Sequence, residues 1–547
     1  MIIEVKNLKY KYSAPMPYVI NGMDLSIRPG EKILIAGKNG AGKTTLSKIL
    51  SGLIPLIEKH GVIEGGCFYE GKPAAECNYG DLRGRIALLF QDFEGQIVST
   101  SVKEELIFYP MNLGKSYRES LGRAGNLAEQ FGMQDFLDRN ISGLSGGEKQ
   151  KTAILSLLTA GPEVLILDEP ITDLDPHSQE MMLEMVRNFR GTLIVFEQSL
   201  DYYGYFDRVI IMKDGLITAD AGKEAAGDIK TLGAAGIGAP EVFRAAGGFF
   251  PDLKGACAAI GKKFEFDPGK YSAMSADKIE TAPAVIQVRD LSFSYPGSGD
   301  DVLSGVTFDV KKGEFLAVVG ANGSGKTTLM KIIGGIYTDF QRGEILYAGA
   351  SIKKQGVLGQ VGYVYQNPDN QIFAETVFDE IAFALRVRGA AEASVKSKVE
   401  AIMETFGLSK NSGADPFSLP KGDREKVACA SVLVGEPQVI ILDEPTTGLD
   451  HPSYMALMDI ILELNRKGRT VITITHSMEA AALFGERILA LAGGKIVFLG
   501  GKREFFRDSA ALERANVKRT GIMDASIMLN GNLTLNSREF SACWRKK

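Results

Sequence analysis

The stretch Gly320-Ala321-Asn322-Gly323-Ser324-Gly325-Lys326-Thr327-Thr328 decides the fold. An apolar run, Phe315-Leu316-Ala317-Val318-Val319, precedes it and reads as a buried strand; Leu329-Met330-Lys331-Ile332-Ile333 follows and reads as the start of a helix. Strand, glycine loop and helix together form the context of a phosphate-binding P-loop. The glycines let successive backbone N–H groups turn toward β- and γ-phosphates. Lys326 adds a positive charge, Thr327 offers a hydroxyl to Mg²⁺, and the helix N-terminus adds its partial positive charge. One such match is a modest signal in a chain with 62 glycines. A second match, Gly37–Thr44, makes it decisive.

The 547 residues are enough for several domains, and a hydrophobic content of 45% is enough for ordinary cores. A net charge of −5 gives no global basic field for nucleic acid. No apolar run reaches about 18 residues, so no transmembrane helix is expected. Met1-Ile2-Ile3-Glu4-Val5-Lys6 lacks the basic-then-apolar layout of a signal peptide. The five scattered cysteines (Cys67, Cys77, Cys257, Cys429, Cys543) show neither metal spacing nor a disulfide framework, which points to a reducing cytosol.

The chain reads as two copies of one domain. Ile2–Tyr12 and Val285–Tyr295 share an alternating layout ending on an aromatic residue, and a P-loop follows each. Gln91 pairs with Gln366 and Glu169 with Glu444, both at an offset of 275, whereas the P-loop lysines give 326 − 43 = 283. The difference of 8 predicts an insertion in the first copy between Lys43 and Gln91, placed near Leu56–Gly66. The expected boundaries are a first cassette over 1–221, a linker over 222–283, a second cassette over 284–514 and a tail over 515–547.

Val164-Leu165-Ile166-Leu167-Asp168-Glu169-Pro170 and Val439-Ile440-Ile441-Leu442-Asp443-Glu444-Pro445 are apolar strands ending in paired carboxylates. A buried parallel strand delivers both acids to its C-terminal end, where α/β sheets bind ligands. The first acid (Asp168, Asp443) suits Mg²⁺; the second (Glu169, Glu444) can orient or deprotonate an attacking water. Leu144-Ser145-Gly146-Gly147-Glu148-Lys149-Gln150 stands shortly before the first of these strands and opens a helix.

Together these motifs resemble the ATP-binding cassette (ABC) ATPases over nearly all of both halves. The resemblance implies an α/β fold of two tandem P-loop cassettes. Each would have a RecA-like core and a helical subdomain, over about 100–160 and 375–435. It implies a head-to-tail cassette pair in which each ATP lies between one P-loop and the Leu-Ser-Gly-Gly signature of the other cassette. The implied nucleotide contacts in the first half are Tyr12, Asn39, Gly40, Gly42, Lys43, Thr44, Thr45 and Gln91, with Ser145, Gly146 and Gly147 of the signature. In the second half they are Tyr295, Asn322, Gly323, Gly325, Lys326, Thr327 and Thr328. Tyr12 and Tyr295 are assigned either to stacking on adenine or to packing. Mg²⁺ would be held by Thr44, Gln91 and Asp168, and by Thr327, Gln366 and Asp443. Catalysis would use Glu444 on water with His476, Gln366 and Lys326 around the γ-phosphate; Glu169 is the counterpart of Glu444.

The halves differ. The second has Leu419-Pro420-Lys421-Gly422-Asp423 in place of Leu-Ser-Gly-Gly, so Pro420 lacks both the hydroxyl and a backbone N–H. The second carries the family's switch histidine, His476, where the first has Gln198, which can hydrogen-bond but cannot become cationic. In a head-to-tail pair both departures fall on the site of Lys43 and Glu169. The expectation is therefore one catalytic site and one that binds ATP and turns it over slowly.

Gln366-Asn367-Pro368-Asp369-Asn370-Gln371-Ile372-Phe373, running into Val377–Phe383, looks like the ATPases of energy-coupling factor (ECF) importers of vitamins and transition-metal ions. That resemblance implies an integral membrane coupling subunit, a small substrate-binding membrane subunit and a place at the cytoplasmic face of the cell membrane. Asp369, Glu375, Asp379 and Glu380 either line a groove for a basic coupling helix or form a solvated acidic face. A tandem-cassette ATPase of a sugar importer is the alternative. A ribosome-acting ABC protein would carry two intact signatures and a long charged linker, and a DNA-repair cassette would carry a coiled-coil insertion. A nucleotide-binding scaffold is disfavoured by the complete set Lys326, Glu444 and His476.

Overall fold

A computed structural model describes residues 3–144, 146–171, 176–200, 202–222, 253–274, 282–296, 301–357, 359–445, 449 and 451–546. The chain divides into two compact units, residues 1–262 and 263–547.

In the first unit a six-stranded sheet runs in the order Leu216–Gly222, Arg208–Lys213, Lys32–Ala36, Thr192–Glu197, Val164–Asp168, Ile86–Leu89. All neighbours are parallel except the first pair. Val164–Asp168 and Thr192–Glu197 are buried along their whole length, as continuous apolar runs under helical crossovers must be. A second, antiparallel sheet is built from Ile20–Ile27, Ile3–Lys11, Val62–Tyr69 and Lys72–Pro73. Leu8, Ile33, Leu46, Ile49, Ile166 and Phe196 belong to one core around the P-loop helix Lys43–Leu50.

The second unit repeats both sheets. Its six strands run Val361–Val364, Val439–Asp443, Thr470–Ile474, Phe315–Val319, Arg487–Ala492, Lys495–Gly501. The repeat localises the insertion. Ile3 pairs with Tyr69 and Ile286 with Tyr347, so the offset falls from 283 to 347 − 69 = 278 by this point. It reaches 364 − 89 = 275 at the strand before the glutamine. The extra residues are therefore split: five fall between Leu50 and Glu64, where the insertion near Leu56–Gly66 was expected, and three between Tyr69 and Leu89. Both pieces lie in surface connections, where added length costs little.

Each unit carries a helical layer. In the first, Val102–Asn112, Tyr117–Gln130 and Gly146–Ala160 close on Leu106, Ala124, Met133 and Leu155. In the second, Val377–Val387, Glu392–Thr405 and Lys421–Leu433 close on Ile381, Val399, Met403 and Val427. Side-chain caps start the first helix of each layer: Ser101 accepts from the Glu104 N–H and Thr376 from the Asp379 N–H.

The tail is folded. Gly521–Asn530 and Ser537–Cys543 are helices, and Met523, Leu533 and Leu535 pack with Phe505, Phe506 and Ala511. Trp544–Lys546 then forms an antiparallel pair with Phe264–Phe266, a piece of the stretch expected to be linker. Phe266 lies 5.5 Å from the Trp544 ring, and Phe540 stacks on Trp544 at 5.3 Å. Residues 223–252, including Phe249 and Phe250, lie outside the described residues.

Candidate functional site

The P-loop closes in the same way in both units. Gly42 and Gly325 stand immediately before their helices at φ of 95° and 97°, a region that side chains avoid. A Cβ there would lie 2.9 Å from the carbonyl oxygen of Val19 or of Val302, so these positions require glycine twice over. Gly40 and Gly323 form exposed tips, at φ of 77° and 74°. The helix that begins at Lys43 or Lys326 points its free N–H groups into the loop. Lys43 Nζ donates to Gly37 O at 2.7 Å, and Lys326 Nζ donates to Gly320 O at 2.9 Å and Ala321 O at 2.8 Å. Both ammonium groups are thus held buried at the centre of the curve. Tyr12 and Tyr295 bond through their hydroxyls to Thr45 and Thr328, each at 2.9 Å, which anchors a half-exposed ring beside each loop.

The carboxylate strands deliver their acids beside these loops. Glu169 and Glu444 follow strands that end at Asp168 and Asp443, and both adopt left-handed backbone, φ 51° and 52°. For a side-chain-bearing residue that conformation costs about 1 kcal/mol or more. It is fixed by main-chain bonds: Glu169 N donates to Phe196 O at 2.9 Å, and Glu444 N donates to Ile474 O at 3.1 Å. The turn aims both side chains at the residues read from sequence. In the first unit Lys43 Nζ is 3.1 Å from Glu169 Oε1, while Gln91 and Gln198 each donate to Glu169 Oε2 at 2.8 Å. In the second, Gln366 donates to Glu444 Oε2 at 2.8 Å and His476 Nε2 lies 2.5 Å from Glu444 Oε1. Burial pushes the Glu444 carboxyl up, but the hydrogen bond and charge of His476, with Lys326 nearby, outweigh it and hold Glu444 below the usual carboxylate range. An ionised carboxylate of this kind can orient or accept a proton from water.

Asp168 and Asp443 are buried between the P-loop helix and the acidic strand. Burial raises Asp168 to about 6, against the opposing bond of Thr44, and raises Asp443 as well. Oδ1 of Asp168 is buried without a hydrogen-bond partner. A buried anionic oxygen left this way, beside a threonine hydroxyl and the loop, fits a hard cation such as Mg²⁺. Thr327 donates to Asp443 Oδ1 at 3.2 Å.

The signature is only partly described. Gly146 and Gly147 begin the helix Gly146–Ala160, whereas Ser145 lies outside the described residues. Pro420 occupies the N-cap of Lys421–Leu433 with no side-chain cap bond, and Pro cannot offer an N–H there. One expectation is corrected. Glu380 does not line a surface groove: it is 3% exposed, and its Oε2 accepts the N–H groups of Phe373 and Ala374 at 2.9 and 2.8 Å. Its twin Glu105 accepts from Val98 and Ser99 in the same way, so the acid folds the loop after the glutamine in both units. Asp379 accepts the hydroxyl of the capping Thr376 at 2.6 Å and pairs with Arg386 at 2.8 Å, and Asp369 pairs with Arg424 at 3.1 Å. Glu375 remains on the surface. Glu197 was missed by sequence reasoning: it is buried, and its Oε1 accepts the Ile171 N–H at 2.9 Å just beyond the Asp-Glu-Pro turn.

Twin glycine loops on buried strands, each facing an Asp-Glu pair, define a P-loop ATPase with duplicated sites. The chain belongs to the ABC transporter family: the ABC transporter family model matches residues 20–172 and 303–447. It is 34% identical over 566 residues to "Putative ABC transporter ATP-binding protein TTE1589" of Caldanaerobacter subterraneus subsp. tengcongensis, covering 100% of this chain and 99% of that protein. A similarly named protein of Methanosarcina mazei is 33% identical, with 94% of this chain and 92% of that one covered. Among solved structures, cbiO1 from Clostridium perfringens, titled as part of the ABC transporter complex cbiONQ, is 29% identical. It covers 43% of this chain and 94% of its own, with a TM-score of 0.38. The chain is thus an ATP-binding subunit of the ABC transporter class and an ATPase by family.

Proposed function

We propose that the chain energises an ECF-type membrane importer of a vitamin or metal ion from the cytoplasmic face of the membrane. The observation that carries this reading is the loop that links Gln366 to the surface. Gln366 touches Glu444, and seven residues on, Phe373 is 61% exposed and stands edge-on to the half-exposed Phe383 at 4.7 Å. Val98 and Phe108 are exposed at the matching places of the first unit. Exposed aromatic pairs favour a docking surface. Here that surface is joined through one short loop to the residue that contacts the catalytic acid, so a membrane coupling subunit seated on it would sense the nucleotide.

In the proposed reaction, Glu444 orients the attacking water and takes its proton, His476 holds Glu444 and reaches the γ-phosphate, and Lys326 with the loop N–H groups carries the developing negative charge. Mg²⁺ bound with ATP neutralises phosphate charge and would be held by Asp443, Thr327 and Gln366, and by Asp168, Thr44 and Gln91 in the first unit. In a head-to-tail pair the second site receives the intact signature and is the faster one.

The test is affinity purification of the tagged chain from native membranes in mild detergent, beside a Phe373→Ser/Phe383→Ser variant. Recovery of a coupling-type membrane protein and small hydrophobic subunits with the wild type, lost in the variant, supports the reading. Recovery of a sugar-importer permease, or of no membrane protein, refutes it.

A further inference from the structure

The two aspartates proposed to hold Mg²⁺ take a hydroxyl on Oδ2 from different elements. In the first unit Ser47, on the P-loop helix, donates to Asp168 Oδ2 at 3.2 Å. In the second unit the position of Ser47 is Met330, at 330 − 47 = 283, and it is fully buried with no hydroxyl to give. There the donor is Tyr363, whose hydroxyl bonds Asp443 Oδ2 at 2.6 Å from the neighbouring strand Val361–Val364. Tyr363 in turn corresponds to Leu88, at 363 − 88 = 275, which has no donor. A third position completes the exchange. A Cβ on Gly334 would lie 3.1 Å from the Tyr363 ring, and the first unit has Ser51 there, at 334 − 51 = 283. The sets Ser47–Ser51–Leu88 and Met330–Gly334–Tyr363 thus solve one problem by different routes: a buried carboxylate needs a donor on Oδ2.

We infer that Tyr363 is a positioning residue for Asp443. By occupying Oδ2 and fixing the carboxylate rotation, it leaves Oδ1 on the side of Thr327, which bonds it at 3.2 Å, and so sets the affinity of the second site for Mg²⁺ with ATP. The inference rests on the proposal that Asp443 and Thr327 hold that Mg²⁺. Tyr363 touches neither nucleotide nor water in this role and acts through the carboxylate alone.

The test measures binding of a fluorescent ATP analogue to the full chain across a Mg²⁺ titration. A Lys43→Ala background reports on the second site. Tyr363→Phe keeps the ring and removes the hydroxyl; the expected result is a half-saturating Mg²⁺ concentration about ten- to a hundredfold higher. Adding Met330→Ser, which transplants the first unit's donor, is expected to recover about half or more of that loss on a logarithmic scale. A residue that merely packs would lower the melting temperature without moving the Mg²⁺ midpoint, and Met330→Ser would then deepen the defect; either result overturns the inference. If the background protein itself binds the analogue without Mg²⁺ dependence, and Asp443→Asn changes nothing, the underlying metal assignment fails first, and the inference with it.

Discussion

Glu425 is expected to make the second unit lose stability as pH rises, and Glu425→Gln to abolish that loss. The residue lies on the helix Lys421–Leu433, is 2% exposed, and neither carboxylate oxygen has a hydrogen-bond partner. Its twin at 425 − 275 = 150 is Gln150, which donates to Pro170 O at 2.9 Å. Burial raises Glu425 to about 8; Lys421 works against this and the charge of Asp369 adds to it. The folded state therefore binds a proton that the unfolded chain, with an ordinary value of 4.5, has released. Stability is fully present below 4.5 and is lost as pH rises toward about 8. The cost reaches about 3 kcal/mol at pH 7 and about 5 kcal/mol well above pH 8, at 1.36 kcal/mol per pH unit. The amide carries no charge and restores the group used in the first unit. Calorimetry of the full chain at pH 5, 6, 7 and 8 is the assay. The variant should match the wild type within about 1 kcal/mol at pH 5 and melt roughly 5–10 °C higher at pH 8 in the transition of the second unit. An equal difference at pH 5 and pH 8 would refute the reasoning, since only an ionising buried group gives a pH-dependent gap.

Single-turnover hydrolysis should separate the two acids: Glu444→Gln is expected to lower the rate about a hundredfold or more, and Glu169→Gln less than about fivefold. Equal losses would sink the unequal-site model. Trp544→Ala removes a buried ring that touches both Phe266 and Phe540, and should cost about 3–5 kcal/mol in denaturant unfolding. A cost below about 1 kcal/mol would mean that the strand pair Phe264–Phe266 with Trp544–Lys546 contributes little to the second unit.

The glycine loops, the acidic strands and the switch residues were legible because each is a short contiguous pattern whose backbone conformation is local. Their contacts were less so. The left-handed turn at Glu444 carries no sequence mark, since glycine would be the usual signal. Glu380 reads as one more surface acid; its burial follows from the first helical turn folding back under the loop Phe373–Ala374. The eight-residue insertion could be counted from offsets, but only strand register divided it into five and three. The tail gave no pattern, because its short helices are held by Phe505, Phe506 and Leu535 rather than by a strong period of their own.

By itself the sequence determined a duplicated P-loop ATPase, two halves that differ at Pro420 and Gln198, and which residues build each glycine loop and each acidic strand. Those features are written in residue type at fixed spacing along one strand–loop–helix. Only the tertiary structure decided which hydroxyl holds each buried aspartate, that Glu425 is buried without a partner, and that Trp544–Lys546 closes on Phe264–Phe266. Those outcomes depend on partners dozens to hundreds of residues apart. Burial fixes the cost of each polar atom, and the neighbouring strand or helix decides whether that cost is met.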